Sequence, residues 1–232
     1  MLFTIDRKVS HFFEYFTDSP TKEAVKWLPY FEAYDMHLRK FINKKPLILE
    51  IGVSRGGSLQ FWRDALGPGT RVVGLDINAE CKNHEDDGKN IFVEIGDGRN
   101  KEFLEYVVGK YGSPDIVIDD GDHNSPSMRL SLNHLWSNLG DGGVYLIEDL
   151  HGVFWQEQEN WDPSIFEFIF NQIKGLNSRG SRGNVLPTDI SQTLLSISCY
   201  WSIFVLEKKK NPTAACALSS SAEGIDTVAV TN

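Results

Sequence analysis

Apolar positions along the chain follow two patterns, one after the other. From Thr21 to Asn43 the residues Trp27, Phe31, Tyr34, Leu38 and Phe41 recur at steps of three and four. That spacing predicts one face of an amphipathic helix, with Pro46 marking its end. Beyond it, short apolar runs alternate with longer helical patterns. "LILEIG" (47–52) precedes "SLQFWRDAL", "RVVGLD" (71–76) precedes a polar loop, and "IFVEIG" (91–96) precedes "NKEFLEYVVGKYG". "DIVIDD" (115–120) then precedes "PSMRLSLNHLWSNL", and "GGVYLIED" (142–149) follows. Apolar strands alternating with helices predict a parallel sheet covered on both faces. The alternation breaks at "TLLSISC" and "IFVLEK", which only a short stretch around Tyr200 separates. Parallel neighbours need a crossover, so this pair is expected to form an antiparallel hairpin.

The pattern divides the chain into an N-terminal helical segment (1–46), an α/β domain (47–207) and a tail or linker (208–232). The last is rich in Ala, Ser and Thr and has no periodicity. Acids outnumber bases 32 to 23, for a net charge of −9, which argues against a nucleic-acid backbone as the main ligand. Three widely spaced cysteines, Cys81, Cys199 and Cys216, form neither a disulfide framework nor a zinc motif. The N-terminus mixes Asp6, Arg7, Lys8 and His11 among its apolar residues, unlike a signal peptide. A soluble cytoplasmic protein with no membrane partner is expected.

Composition says little about chemistry; the strand ends say more. In an open α/β sheet the ligand crevice lies outside the carboxyl ends of the strands. Those ends carry Glu50, Asp76, Asp97, Asp119 with Asp120, and Glu148 with Asp149. Gathering so many like charges is costly unless cations or hydrogen-bond donors compensate. The turn after the first strand offers Gly52, Gly56 and Gly57 but has Ser54 where a dinucleotide fingerprint needs its middle glycine. No GK[ST] follows, so the phosphate-loop motif is absent too. A turn without phosphate-binding hallmarks, on an acidic rim, suits a nucleoside without phosphates, such as S-adenosylmethionine. Asp76 is then placed for the ribose diol, Asp97 for the adenine amino group, and Ser58 for the ligand's carboxylate at a helix N-terminus.

E-x-G-x-x-x-G-x-S (Glu50, Gly52, Gly56, Ser58), an acid closing the second strand and the terminal hairpin resemble class I S-adenosylmethionine-dependent methyltransferases. The stretches from "YFEAYDMHLRKF" to "VVGLDI", "IDDGDH" and "GGVYLIEDLHGVFW" resemble, more narrowly, the metal-dependent sugar O-methyltransferases of macrolide biosynthesis and cephalosporin-hydroxylase-like proteins. The resemblance covers about residues 20 to 207. It implies a Rossmann-like methyltransferase fold and cofactor binding by Glu50, Gly52, Gly56, Ser58, Asp76, Asp97 and Asp119. It also implies Mg²⁺ held by Asp120, Glu148 and Asp149, and His123 as the catalytic base beside Asp120. Three carboxylates suit a hard divalent ion rather than zinc. Asp122 stands where these relatives more usually have Ser, so it either tunes His123 or faces solvent.

His151, Phe154, Trp155 and Trp161 follow the metal acids and are placed to wall an acceptor pocket. Tyr30 and Tyr34 either close that pocket or pack a helix. The implied reaction moves a methyl group to a hydroxyl of a sugar or glycan, in a possible homo-oligomer. Three alternatives stay open: an NAD-dependent oxidoreductase, disfavoured by Ser54; a hydroxylase relative, disfavoured by the absence of a 2-His-1-carboxylate triad; and a non-catalytic cofactor-binding module.

Overall fold

The computed structural model describes residues 10–18, 22–155, 162–210, 215–220 and 224–229. Helices α1 (His11–Asp18) and α2 (Tyr30–Leu38) precede the sheet. The alternating region then runs β1 (Leu47–Ile51), α3 (Gly57–Leu66), β2 (Arg71–Asp76), β3 (Ile91–Ile95), α4 (Lys101–Tyr111), β4 (Ile116–Asp119) and α5 (Ser125–Trp136). It closes with β5 (Val144–Ile147), α6 (Ser164–Leu176), β6 (Leu194–Tyr200) and β7 (Ile203–Lys208).

These seven strands form one sheet in the order β3-β2-β1-β4-β5-β7-β6. The first five are mutually parallel; β7 runs antiparallel to both β5 and β6. The expected hairpin is therefore present, closed by the two residues Trp201 and Ser202.

Side-chain alternation along each strand builds two cores. In β1, Ile48 faces one core with Val72, Ile116 and Val144, packed under α1, α2 and α3 through Phe12, Phe31, Tyr34 and Trp62. Leu47 and Leu49 face the other with Val73, Val117 and Tyr145, packed under α4, α5 and α6 through Leu104, Leu132 and Ile165. Both faces are covered, so these strands read as near-continuous apolar runs. Order reverses between β1 and β4, and the loops after them diverge there to open a crevice.

One expectation is corrected. The helix read across 21–43 is confined to α2 and a 3₁₀ turn at Arg39–Phe41, while residues 22–29 form an irregular strap. Pro29 is the reason: the residue before a proline is pushed out of the helical region, whereas proline itself suits a helix start. Trp27 is consequently 46% exposed and not on the core face. Within the stretch read as a tail, Ala215–Ser220 pairs antiparallel with Gly224–Ala229 as a separate two-stranded ladder. Trp161 lies outside the described residues.

Lys208, the last residue of β7, is buried and donates to the carbonyls of Trp136, Ser137 and Leu139 at 2.6, 3.1 and 2.8 Å. A cation there suits the carboxyl end of α5 and ties the end of the sheet to its helical layer.

Candidate active site

The crevice has two adjoining parts. A cleft of about 390 Å³ is lined by the strap and by Gly52, Ser54, Ser58, Asp120, His123, Glu148 and Asp149. A second, of about 270 Å³, is lined by Asp76, Asp97, Asp119, Asp122 and Ser131. Gly52, Ser54, Asp120 and Gly121 belong to both. The two meet at Gly52 because its backbone, at φ +94°, lies against the Asp120 carbonyl, where a side chain would collide.

In the second part the acids are held locally. Asp76 accepts from the backbone N–H groups of Val53 (2.9 Å), Ser54 (3.2 Å) and Asn78 (2.9 Å). Burial pushes its carboxyl up, but these N–H groups outweigh burial and hold it below the usual range. Asp76 thus fixes the glycine turn itself. Asp97, 39% exposed, makes a forked ion pair with Arg99, whose closest approach is 2.7 Å and which lowers its pKa. Asp119 is buried, accepts from Ser131 and, at 3.3 Å, from Tyr145, and burial pushes it up to about 6.

In the first part the partners come from far along the chain. Glu50 is buried and accepts from Ser58 Oγ and Trp62 Nε1, both at 3.0 Å. Burial raises its pKa to about 7 against the opposing pull of Lys26. Ser58 is therefore turned inward to Glu50. Glu148 accepts from Tyr34 OH and Lys26 Nζ, both at 2.6 Å, and burial raises it to about 8 despite Lys26. Lys26, its side chain only 2% exposed, also donates to Asp120 Oδ2 at 2.7 Å and lies 4.0 Å from Glu50. Burial opposes its charge, but Asp120, Glu148 and Glu50 outweigh burial and raise its pKa. Tyr30 OH donates to Asp149 Oδ1 at 2.6 Å, and burial raises its pKa.

The carboxylates of Asp120 and Asp149 and a ring nitrogen of His123 lie within 4.8 Å of one another. His123 Nε2 is 3.5 Å from Asp149 Oδ2, and its buried Nδ1 has no hydrogen-bond partner among the described residues. His123 (φ 54°) and Asp149 (φ 53°) both hold left-handed backbone, a conformation costing such residues about 1–2 kcal/mol. Their surroundings impose it. Glu148, the third expected ligand, stands behind this group with both oxygens engaged. Asp122 accepts from Asn124 N (3.1 Å) and Ser127 Oγ (2.7 Å), so it serves the start of α5.

No family model matches the chain. It is 30% identical over 194 residues to mycinamicin VI 2''-O-methyltransferase of Micromonospora griseorubida, covering 77% of this chain and 47% of that protein. Over 129 residues it is 36% identical to demethylmacrocin O-methyltransferase of Streptomyces fradiae, covering 53% and 32%. The MycE methyltransferase of the mycinamycin pathway, solved in complex with Mg and SAH, superposes with a TM-score of 0.72 at 30% identity. That match covers 88% of this chain and 55% of MycE. The chain has the Rossmann-like fold of that methyltransferase. It spans about half the length, or less, of the curated relatives it matches. Among the described residues, no helix of this methyltransferase fold is long and apolar enough to cross a membrane.

Sequence reasoning missed Lys26, because it reads as one more polar position in a helix that does not form there. It also gave Tyr30 and Tyr34 a choice between pocket and packing. Both pack their rings in the core and turn their hydroxyls to the acids, and Tyr30 also lines the cleft.

Proposed function

We propose that the chain is a magnesium-dependent O-methyltransferase that moves the methyl group of S-adenosylmethionine to a hydroxyl of a sugar, in a deoxysugar or rhamnose-like unit of a glycan or glycosylated metabolite. The observation that carries this reading is the grouping of Asp120, His123 and Asp149 beside the glycine turn. Two carboxylates completed by waters fit a hard divalent ion, and the imidazole beside them stays free to take a proton. Asp120 and Asp149 would hold it, and Glu148 would join them only by giving up Lys26 or Tyr34. When bound, the ion would lower the cost of negative charge developing on the acceptor oxygen.

The chain's own residues supply the rest. Gly52, Gly57 and Ser58 line the seat of the donor's amino-acid end, with Gly56 turning the chain into α3, and Asp76, Asp97 and Asp119 flank its nucleoside. His123 takes the acceptor hydroxyl's proton as the oxygen–methyl bond forms and the sulfur–methyl bond breaks, leaving a methyl ether and S-adenosylhomocysteine. A neutral imidazole suits that role near physiological pH. Holding both reactants in line contributes much of the remaining acceleration.

The acceptor side is aromatic. His151 stacks on Trp201 at 5.5 Å, Trp27 meets both rings, and Trp155 meets His151 at 5.3 Å. Exposed rings beside a polar cleft suit a ligand with apolar C–H faces and hydroxyl edges, which describes a sugar. We further assign residues 47–207 to the methyltransferase domain, 1–46 to a segment that completes its cleft and 208–232 to a tail or linker. The protein is placed in the cytoplasm, without nucleic-acid or membrane partners and as a possible homo-oligomer.

Incubation with methyl-labelled S-adenosylmethionine and a panel of deoxysugar glycosides tests the reading. Label is expected in a glycoside with Mg²⁺ and in none with EDTA; metal-independent transfer would discard the ion assignment.

A further inference from the structure

Lys26 reaches the carboxylates from the irregular strap, not from the sheet. Resting on the reading of a methyl-donor cleft, we propose that Lys26 is a positioning residue. Its ammonium fixes Asp120 and Glu148, and the same contacts latch residues 22–29 over the bound donor.

Three observations carry this. First, the ammonium bridges the ends of two adjacent strands, at 2.7 Å from Asp120 and 2.6 Å from Glu148, with its side chain almost fully buried. Acids crowded this closely repel unless a cation stands among them, and one built into the chain is present before any ligand arrives. Second, the strap is seated against the cleft. Glu23, Ala24, Val25, Lys26 and Trp27 line it, and a methyl group added to Gly57 would collide with the carbonyl oxygens of Lys22 and Glu23. The strap thus lies on the start of α3, where the donor's amino-acid end is placed. Third, its polar ties reach separate parts of the crevice. Lys22 Nζ is 3.3 Å from His84 Nδ1, Glu23 pairs with Arg55 of the glycine turn, and Lys26 holds β4 and β5. Of the two outer ties, Glu23–Arg55 joins exposed side chains, where ion pairs contribute little, and Lys22–His84 is a partly buried hydrogen bond. Lys26 alone of the three makes a buried pair.

The test compares Lys26→Met, which keeps length and apolar stem but removes the charge, with Lys26→Arg, which keeps the charge. Amide exchange of residues 22–28 and calorimetric binding of S-adenosylhomocysteine are measured in EDTA. In Lys26→Met, strap amides should exchange about tenfold faster while those of β1 and β4 are unchanged, and binding should weaken about tenfold. Lys26→Arg should stay within about threefold of wild type on both measures. Equal effects of the two variants, or unchanged strap exchange in Lys26→Met, would overturn the latch. Failure of the wild-type protein to bind S-adenosylhomocysteine would instead overturn the donor reading. Should Lys26→Met not fold, Glu23→Gln decides: exchange should rise only near residues 22–24, and a rise through Leu28 would overturn the role of Lys26.

Discussion

The two parts of the crevice meet at Gly52, yet they hold their acids in opposite ways. Around β2 and β3, Asp76 accepts from Asn78 and the glycine turn, and Asp97 pairs with Arg99 two residues on. Around β4 and β5, Asp120, Glu148 and Asp149 are held by Lys26, Tyr34 and Tyr30, between 94 and 122 residues away. A locally tied acid is fixed whatever the front segment does. An acid tied across the fold depends on residues 22–38 being in place. The nucleoside part is therefore a property of the sheet and its own connections, whereas the reactive part requires the strap and α2.

If that contrast is right, substitutions at the reacting group should act on turnover, those in the nucleoside part on donor affinity, and those in the strap on both. The largest effect is expected from His123→Ala, which should lower kcat by about 10²–10⁴-fold. S-adenosylhomocysteine affinity should stay within about threefold, because the imidazole is placed to touch the acceptor. Retained turnover would remove His123 as the base.

A middle effect is expected at Glu50. Glu50→Ala leaves Ser58 and Trp62 without their buried acceptor, which should cost about 1–3 kcal/mol, read by chemical denaturation. The milder Glu50→Gln isolates the charge. Because burial raises the folded-state pKa to about 7, the folded protein holds this proton more tightly than the unfolded chain. The stabilisation is full below the unfolded carboxylate range and is lost as pH rises through about 7. In EDTA, the wild-type thermal midpoint should fall between about pH 5 and 8, and Glu50→Gln should flatten that slope. An unchanged slope would assign the pH dependence to other groups.

The smallest effect is expected from Asp97→Asn. Its partner is exposed, so stability should change by less than about 1 kcal/mol. Donor binding should weaken only a few-fold, with kcat unchanged, since Arg99 already occupies the carboxylate. A loss of kcat instead would blur the division between the two parts.

Much of the fold was legible because it rests on periodicity. The five parallel strands and the reversal at β6–β7 follow from apolar runs and from the short link at Trp201–Ser202. The acids of the rim were legible for the same reason, since a strand end can be counted along the chain. What pairs with them was not. Lys26 owes its position to Pro29, which caps the start of α2 at Tyr30, so that the helix never reaches Lys26 and the strap crosses the strand ends. Glu148 has the sequence of a ligand but the surroundings of a buried anion, and no spacing rule reports that Tyr34 lies over it. Ser58 likewise turns toward Glu50 because both are buried together, a fact of packing rather than of motif.

The reversed seventh strand has one more consequence. Because β7 runs back along β5, the bend at Trp201 and Ser202 arrives at the sheet edge where the other strands finish. There Ser202 takes hydrogen bonds from Tyr30 OH (3.1 Å) and from the backbone N–H of His151 (2.9 Å). An all-parallel sheet would put no tight bend there. On the proposed reading, the acceptor would meet a module separate from the one that grips the nucleoside, and exchanging those two residues would retune which compound docks while the donor's seat stays as it was.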